Sequence, residues 1–141
     1  MHPFHHAKAM PEKPAYIMAG SGEVVTYGEL DRRSNRYAQL FRSKGLAYGD
    51  HIAIVMENNA RYFEACWGAQ RAGLYFTCIS SRLTAGETAY IVRDCGAKLV
   101  VTSGVMGDMA ADLLAELDDG VLPLILGGDL AGWTRLEPLL D

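Results

Sequence analysis

The run Gly49-Asp50-His51-Ile52-Ala53-Ile54-Val55-Met56-Glu57-Asn58-Asn59 decides the fold class. After His51 it is continuously apolar and rich in β-branched residues, the pattern of a strand covered on both faces. Strands of that kind belong to parallel sheets flanked by helices. Asn58 or Asn59 can then cap a helix. Behind them Phe63, Cys66, Trp67 and Ala69 supply an apolar side to a helix over about 60–72, which Gly73 ends. A buried strand feeding an amphipathic helix is one βα unit, and the chain continues in that alternation.

Downstream, residues 74–79 read as a second buried strand. Thr84-Ala85-Gly86-Glu87 is a capping box that opens a helix reaching about Cys95, with Gly96 closing it. Residues 98–102 form a strand. Over 105–117, Met109, Leu113 and Leu117 share one helical face, and Asp108, Asp112 and Glu116 share another. Residues 121–126 make a final apolar strand, and 133–141 a short helical turn. Upstream, Thr26-Tyr27-Gly28-Glu29 is another capping box; its helix carries Leu30, Tyr37, Ala38 and Phe41 and stops at Gly45. Before it, 15–18 and 23–26 flank Ala19-Gly20-Ser21-Gly22, a hairpin signal. Residues 1–14, with Pro3, Pro11 and Pro14, read as an irregular lead-in on which His2, His5 and His6 sit in solvent. The fold class is α/β: an N-terminal β-hairpin followed by alternating helices and mostly parallel strands.

With 141 residues, 50% hydrophobic and 21% charged, the chain can build a core. The net charge of -4 argues against nucleic acid as a partner. Residues 101–141 hold Arg135 as their one basic side chain, which fits acidic helix faces in water. Arg32, Arg33, Arg36 and Arg42 line the first long helix; phosphate contact and a solvated face are the two readings, and the solvated face is preferred. Cys66, Cys78 and Cys95 have no metal or redox spacing, and each falls in an apolar run as a small core residue. Free thiols fit the cytoplasm. No apolar run approaches the ~18–20 residues of a membrane span. The chain has no GxGxxG, no GxxxxGK[ST], no HExxH and no GxSxG.

Six segments in order resemble the adenylate-forming superfamily of acyl- and aryl-CoA synthetases, luciferases and peptide-synthetase adenylation domains. They are Pro14-Ala15-Tyr16-Ile17; Val25-Thr26-Tyr27-Gly28-Glu29-Leu30; Gly45-Leu46 with Gly49-Asp50-His51-Ile52-Ala53-Ile54; Glu57-Asn58-Asn59 with Tyr62-Phe63-Glu64-Ala65; Gly68-Ala69 with Arg71-Ala72-Gly73; and Ser81-Arg82-Leu83 with Glu87 and Tyr90-Ile91. Ser81-Arg82-Leu83 resembles the CoA-ligase branch. The resemblance covers 14–103 well and the rest loosely. It implies the N-terminal portion of the large domain of such an enzyme, with 15–141 a partial α/β domain and the remainder, including the C-terminal domain, absent.

The family's phosphate loop is Gly/Ser/Thr-rich and ends in Pro-Lys. Thr102-Ser103-Gly104-Val105-Met106-Gly107-Asp108-Met109-Ala110 follows a strand at a comparable place. Val105 and Met106 stand where hydroxyls should, Met109 and Ala110 replace Pro and Lys, and Asp108 adds like charge. Ser103 is therefore read as a helix cap.

The resemblance implies ATP, Mg²⁺ and CoA as cofactors of the parent enzyme, none of them bound by this piece. The implied substrate is a carboxylic acid, fatty acids foremost, activated as an acyl-adenylate and passed to the CoA thiol. No catalytic residue or metal ligand carries over, so the piece alone is expected to be inactive. Arg82, just beyond a strand's carboxyl end, is the one cofactor-contact candidate, toward CoA or the acyl chain; the alternative is a structural salt bridge. An unfinished sheet predicts an exposed edge or apolar surface through which a homodimer could form. The competing expectation is a stand-alone α/β module for nucleotide binding or protein interaction.

Overall fold

Both capping boxes form. Thr26 Oγ1 accepts from the Glu29 amide at 3.2 Å while the Thr26 amide donates to Glu29 Oε2 at 3.1 Å. The Thr84–Glu87 box repeats this at 3.3 and 2.9 Å. Each reciprocal pair satisfies amides that a helix start leaves without partners. The computed structural model describes residues 2–140.

The elements follow in order: α1 (Pro3–Ala9), β1 (Pro14–Ile17), β2 (Val24–Thr26), α2 (Tyr27–Ser43), β3 (His51–Val55), α3 (Tyr62–Ala72), β4 (Tyr75–Ile79), α4 (Ala85–Asp94), β5 (Ala97–Ser103), a 3₁₀ turn (Gly104–Met106), α5 (Gly107–Glu116), β6 (Leu122–Leu126), β7 (Thr134–Arg135) and α6 (Glu137–Leu140). β1 and β2 form the antiparallel hairpin. The other five strands make one sheet, parallel throughout, in the order β4-β3-β5-β6-β7.

Because β3, β5 and β6 are paired on both edges, their apolar residues divide between two helix layers. Ile52, Ile54, Leu99, Val101 and Leu124 pack under α2, α3 and α6, against Tyr37, Phe41, Ala65, Ala69 and Leu140. Ala53, Val55, Val100 and Ile125 face α4 and α5, against Ala89, Val92, Ala110 and Leu113. Each fully buried Val, Leu, Ile or Phe among them contributes roughly 1.5–3 kcal/mol of transfer free energy. The hairpin is held separately, by Val25 and Leu30 against Ala60 and Trp67, and by Tyr16, whose hydroxyl donates to the Ala60 carbonyl at 2.6 Å.

Several expectations are corrected. Residues 3–9 are a helix, not an irregular lead-in: Pro3 occupies the first turn, where its missing N–H costs nothing, and the His2 ring accepts from the Phe4 amide at 3.1 Å. The run at 74–79 is not a strand buried on both faces. β4 is an edge, with Tyr75 62% and Phe76 39% exposed and Cys78 exposed as well. The Asn59 side chain accepts from the Arg61 amide at 2.9 Å, but Arg61, not an Asn, occupies the cap position of α3. The helix expected from residue 105 begins at Gly107, and Thr134–Arg135 adds a short strand before the final helical turn.

Candidate functional site

β3 sends its chain through α3 to β4 on one side, whereas β5 sends its chain through α5 to β6 on the other. The strand order therefore reverses between the carboxyl ends of β3 and β5, the place where open α/β sheets gather ligands. Two clefts open along this edge.

The first, about 280 Å³, lies over β3, β5 and β6 and is lined by Glu57, Ser103, Gly104, Gly127 and Glu137 among others. The Ser103 hydroxyl donates to Glu57 Oε2 across the switch point, and Thr102 Oγ1 donates to the Val55 carbonyl at 2.8 Å. Ser103 stands at the cap position of the 3₁₀ turn, but its side chain caps no amide there; its hydroxyl serves a residue 46 positions away. Gly104 is required by close approach. A Cβ there would lie 2.5 Å from the Gly127 carbonyl oxygen. The Gly127 amide donates to Glu137 Oε1 at 2.6 Å. This donor set does not fit a triphosphate. The hydroxyl and the amide are committed to carboxylates, and three acids, Glu23, Glu57 and Glu137, line the space against a single cation, Arg61, whose Nε is already bound to Glu64.

The second cleft, about 360 Å³, lies at the ends of β3 and β4, lined by Met56, Asn58, Tyr62, Cys78, Ser80 and Arg82. Arg82 is exposed on the β4–α4 loop. Its amide donates to Ser80 Oγ at 3.3 Å, and among the described residues no carboxylate pairs with its guanidinium. The salt-bridge alternative is therefore absent among those residues. Burial, then the nearby Cys78, pushes the Cys66 thiol up to about 12. Burial likewise raises the Tyr62 phenol. The expectation that all three cysteines are core residues holds for Cys66 and fails for exposed Cys78, with Cys95 half-buried.

One polar centre is not legible in the sequence. Glu64 on α3 is fully buried and accepts from Arg33 Nη1 at 3.0 Å and from Arg61 Nε at 2.7 Å. Arg33 also reaches Glu29 at 3.3 Å. Arg33 thus leaves the solvated stripe, while Arg42 donates to the Arg71 carbonyl at 2.9 Å. The available signal was the i, i+3 spacing of Arg61 and Glu64, which is common on any helix. Among the described residues no group of three or more His, Cys, Asp or Glu could hold a metal ion, and no helix is long and apolar enough to cross a membrane.

A twisted parallel sheet covered by helices, with clefts at its carboxyl edge, defines the open α/β domains that handle nucleotides and their conjugates. Within that class the chain belongs to the AMP-binding enzyme family, matched over residues 3–136. It is 30% identical over 128 residues to the fatty acid--[acyl-carrier-protein] ligase ScoC of Streptomyces coeruleorubidus, covering 91% of this chain and 24% of that enzyme. The crystal structure of a benzoate CoA ligase from Burkholderia xenovorans LB400 superposes with a TM-score of 0.82 at 26% identity, over 99% of this chain and 27% of that one. The AMPPNP-bound nonribosomal peptide synthetase FmoA3 does so with a TM-score of 0.74 at 28% identity, over 88% and 13%. The chain spans about a quarter of the length of the curated relatives it matches.

Proposed function

We propose that this chain is the N-terminal part of a longer, AMP-forming acid–thiol ligase, with residues 15–141 forming part of its N-terminal α/β domain. The observation that carries this reading is the family match running almost end to end while spanning only about a quarter of the relatives' length. The longer protein would activate a carboxylic acid, fatty acids foremost, and pass it to CoA. ATP, with Mg²⁺, would supply the leaving group that a bare carboxylate lacks. Because the residues at the switch-point cleft do not fit a triphosphate, no step of that chemistry is assigned to this chain. Its part is to hold the parallel sheet and the carboxyl-edge clefts.

Arg82 is the residue we assign to ligand contact. An exposed guanidinium without a carboxylate partner, on the rim of a cleft at a strand end, is suited to an anionic group of CoA. The uncovered apolar edge at β4 supports either continuation of the sheet by further chain or pairing of two copies. The unpaired thiols support a cytoplasmic location.

The test is pyrophosphate exchange into ATP, driven by fatty and aryl acids, on the whole product of the gene. Acid-dependent exchange by the whole protein and none by the 141-residue chain is the expected result. Absence of exchange with every acid class would overturn it. Arg82→Ala in the whole enzyme should raise KM for CoA and leave the exchange rate unchanged.

A further inference from the structure

A third cleft, about 370 Å³, lies between α2, α3 and α6, and its polar groups are incompletely satisfied. Tyr37 is fully buried, lines this cleft, and its hydroxyl has no partner among the described residues. Burial raises its phenol well above the usual range, so it stays protonated and remains a donor. Arg36, exposed at the mouth, pairs with no carboxylate among the described residues. Arg61 spends its Nε on Glu64, and among the described residues neither terminal nitrogen has a hydrogen-bond partner. Burial works against the Arg61 charge, yet Glu64 more than offsets it and raises the guanidinium.

The acids lining the cleft are not equivalent. Glu64 is neutralised by Arg33 and Arg61 together. Glu137 uses Oε1 on the Gly127 amide, and its Oε2 is buried without a donor among the described residues. The cleft therefore presents donors at Tyr37, Arg36 and Arg61, one buried acceptor at Glu137 and one exposed acceptor at Glu23. A carboxylate would satisfy the donors and leave Glu137 unmet. An ammonium would do the reverse and face the arginines. A phosphate monoanion has acceptor oxygens for the donors and still carries a hydroxyl for Glu137. Glu23, also on the lining, disfavours more highly charged anions.

We propose that the cleft between α2, α3 and α6 binds a phosphate monoanion, held by Arg36, Tyr37 and Arg61 and donating its own hydroxyl to Glu137. This site is independent of the ligase reading; it stands or falls on the 141-residue chain itself.

The experiment is calorimetric titration of the chain with inorganic phosphate, and separately with AMP, at pH ~5, a unit below the second phosphomonoester pKa of about 6, where phosphate groups are largely singly charged. Saturable binding of inorganic phosphate is expected, with Arg36→Ala and Tyr37→Phe each weakening it about ten-fold, the scale of one charge-assisted hydrogen bond. Arg36 is exposed and Phe keeps the Tyr37 ring, so circular dichroism should show both variants folded. AMP binding lost in the same variants would extend the site to phosphate monoesters. Silence with AMP beside binding of inorganic phosphate would assign it to the free ion. No saturable binding of either, or binding that both substitutions leave intact, overturns the proposal.

Discussion

Replacing Glu64 with alanine is the sharpest probe of how α2 and α3 are held together. The carboxylate is fully buried and takes two charge-assisted hydrogen bonds, from Arg33 and Arg61. Bonds of that kind are worth about 1.5–3 kcal/mol each, giving roughly 3–6 kcal/mol as an upper limit. The two guanidiniums are 31% and 34% exposed, and Arg33 keeps Glu29, so water and Glu29 recover part of the loss. Screening at that exposure brings the expected cost to about 2–3 kcal/mol. Urea unfolding followed by circular dichroism reads it directly. With a slope of about 1.5–2 kcal/mol per molar, the midpoint should fall by roughly 1.5 M. Glu64→Gln keeps the shape and one acceptor, and should fall about half as far. A midpoint shift under about 0.5 M for the alanine variant would refute the view that this carboxylate organises the helix pair.

Gly68→Ala should destabilise the same pair by about 1–3 kcal/mol through overpacking, read by thermal unfolding. Its Cβ would lie 2.3 Å from the Tyr37 Cβ, an atom fixed to the α2 backbone, and 3.1 Å from the Ser34 carbonyl oxygen. Acid should weaken the fold in a defined direction. Hydrogen bonds from the Thr26 and Thr84 amides hold the Glu29 and Glu87 carboxyls below their ordinary 4.5, and bonds from Lys98 and the Ala47 amide hold Asp50 below its ordinary 3.8. Folded values below unfolded ones mean that this stability is complete above the ordinary carboxyl range and disappears as pH falls through the lowered values; a denaturation series from pH 6 to pH 2 checks it. A maleimide pulse followed by mass spectrometry should label Cys78 ahead of Cys66, whose thiol is buried and pushed up to about 12.

The alternation of buried strands and amphipathic helices was legible because each element declares itself locally. The capping boxes need only a Thr and a Glu three residues apart, and the β-branched run at 51–56 needs only its own composition. What stayed hidden depends on residues far apart in the chain. An apolar run at 74–79 looks the same whether the strand lies inside the sheet or at its edge, and strand order is not written in the run itself. Ser103 has the composition of a cap, but its partner Glu57 belongs to another βα unit. Glu64 falls among apolar neighbours, and neither Arg33 nor burial of the carboxylate can be inferred from that spacing. α1 did carry a signal: Pro3 placed at the start of PFHHAKA is a first-turn proline, obscured by the other two prolines nearby.

The position of β3 matters for biosynthesis as well as for packing. β3 leaves the ribosome first among the sheet strands and soon meets β4, but its other neighbour, β5, starts at residue 97. Translation at about 5–20 residues per second separates the end of β3 from that partner by roughly 2–8 seconds. During that interval one edge of this apolar strand has no partner, and α2 and α3, already synthesised, are the elements available to cover one of its faces. The Arg33–Glu64–Arg61 centre that joins those two helices is complete by residue 64, before either neighbour of β3 has been made. A nascent chain weakened there would leave the strand exposed at the stage when aggregation is hardest to reverse.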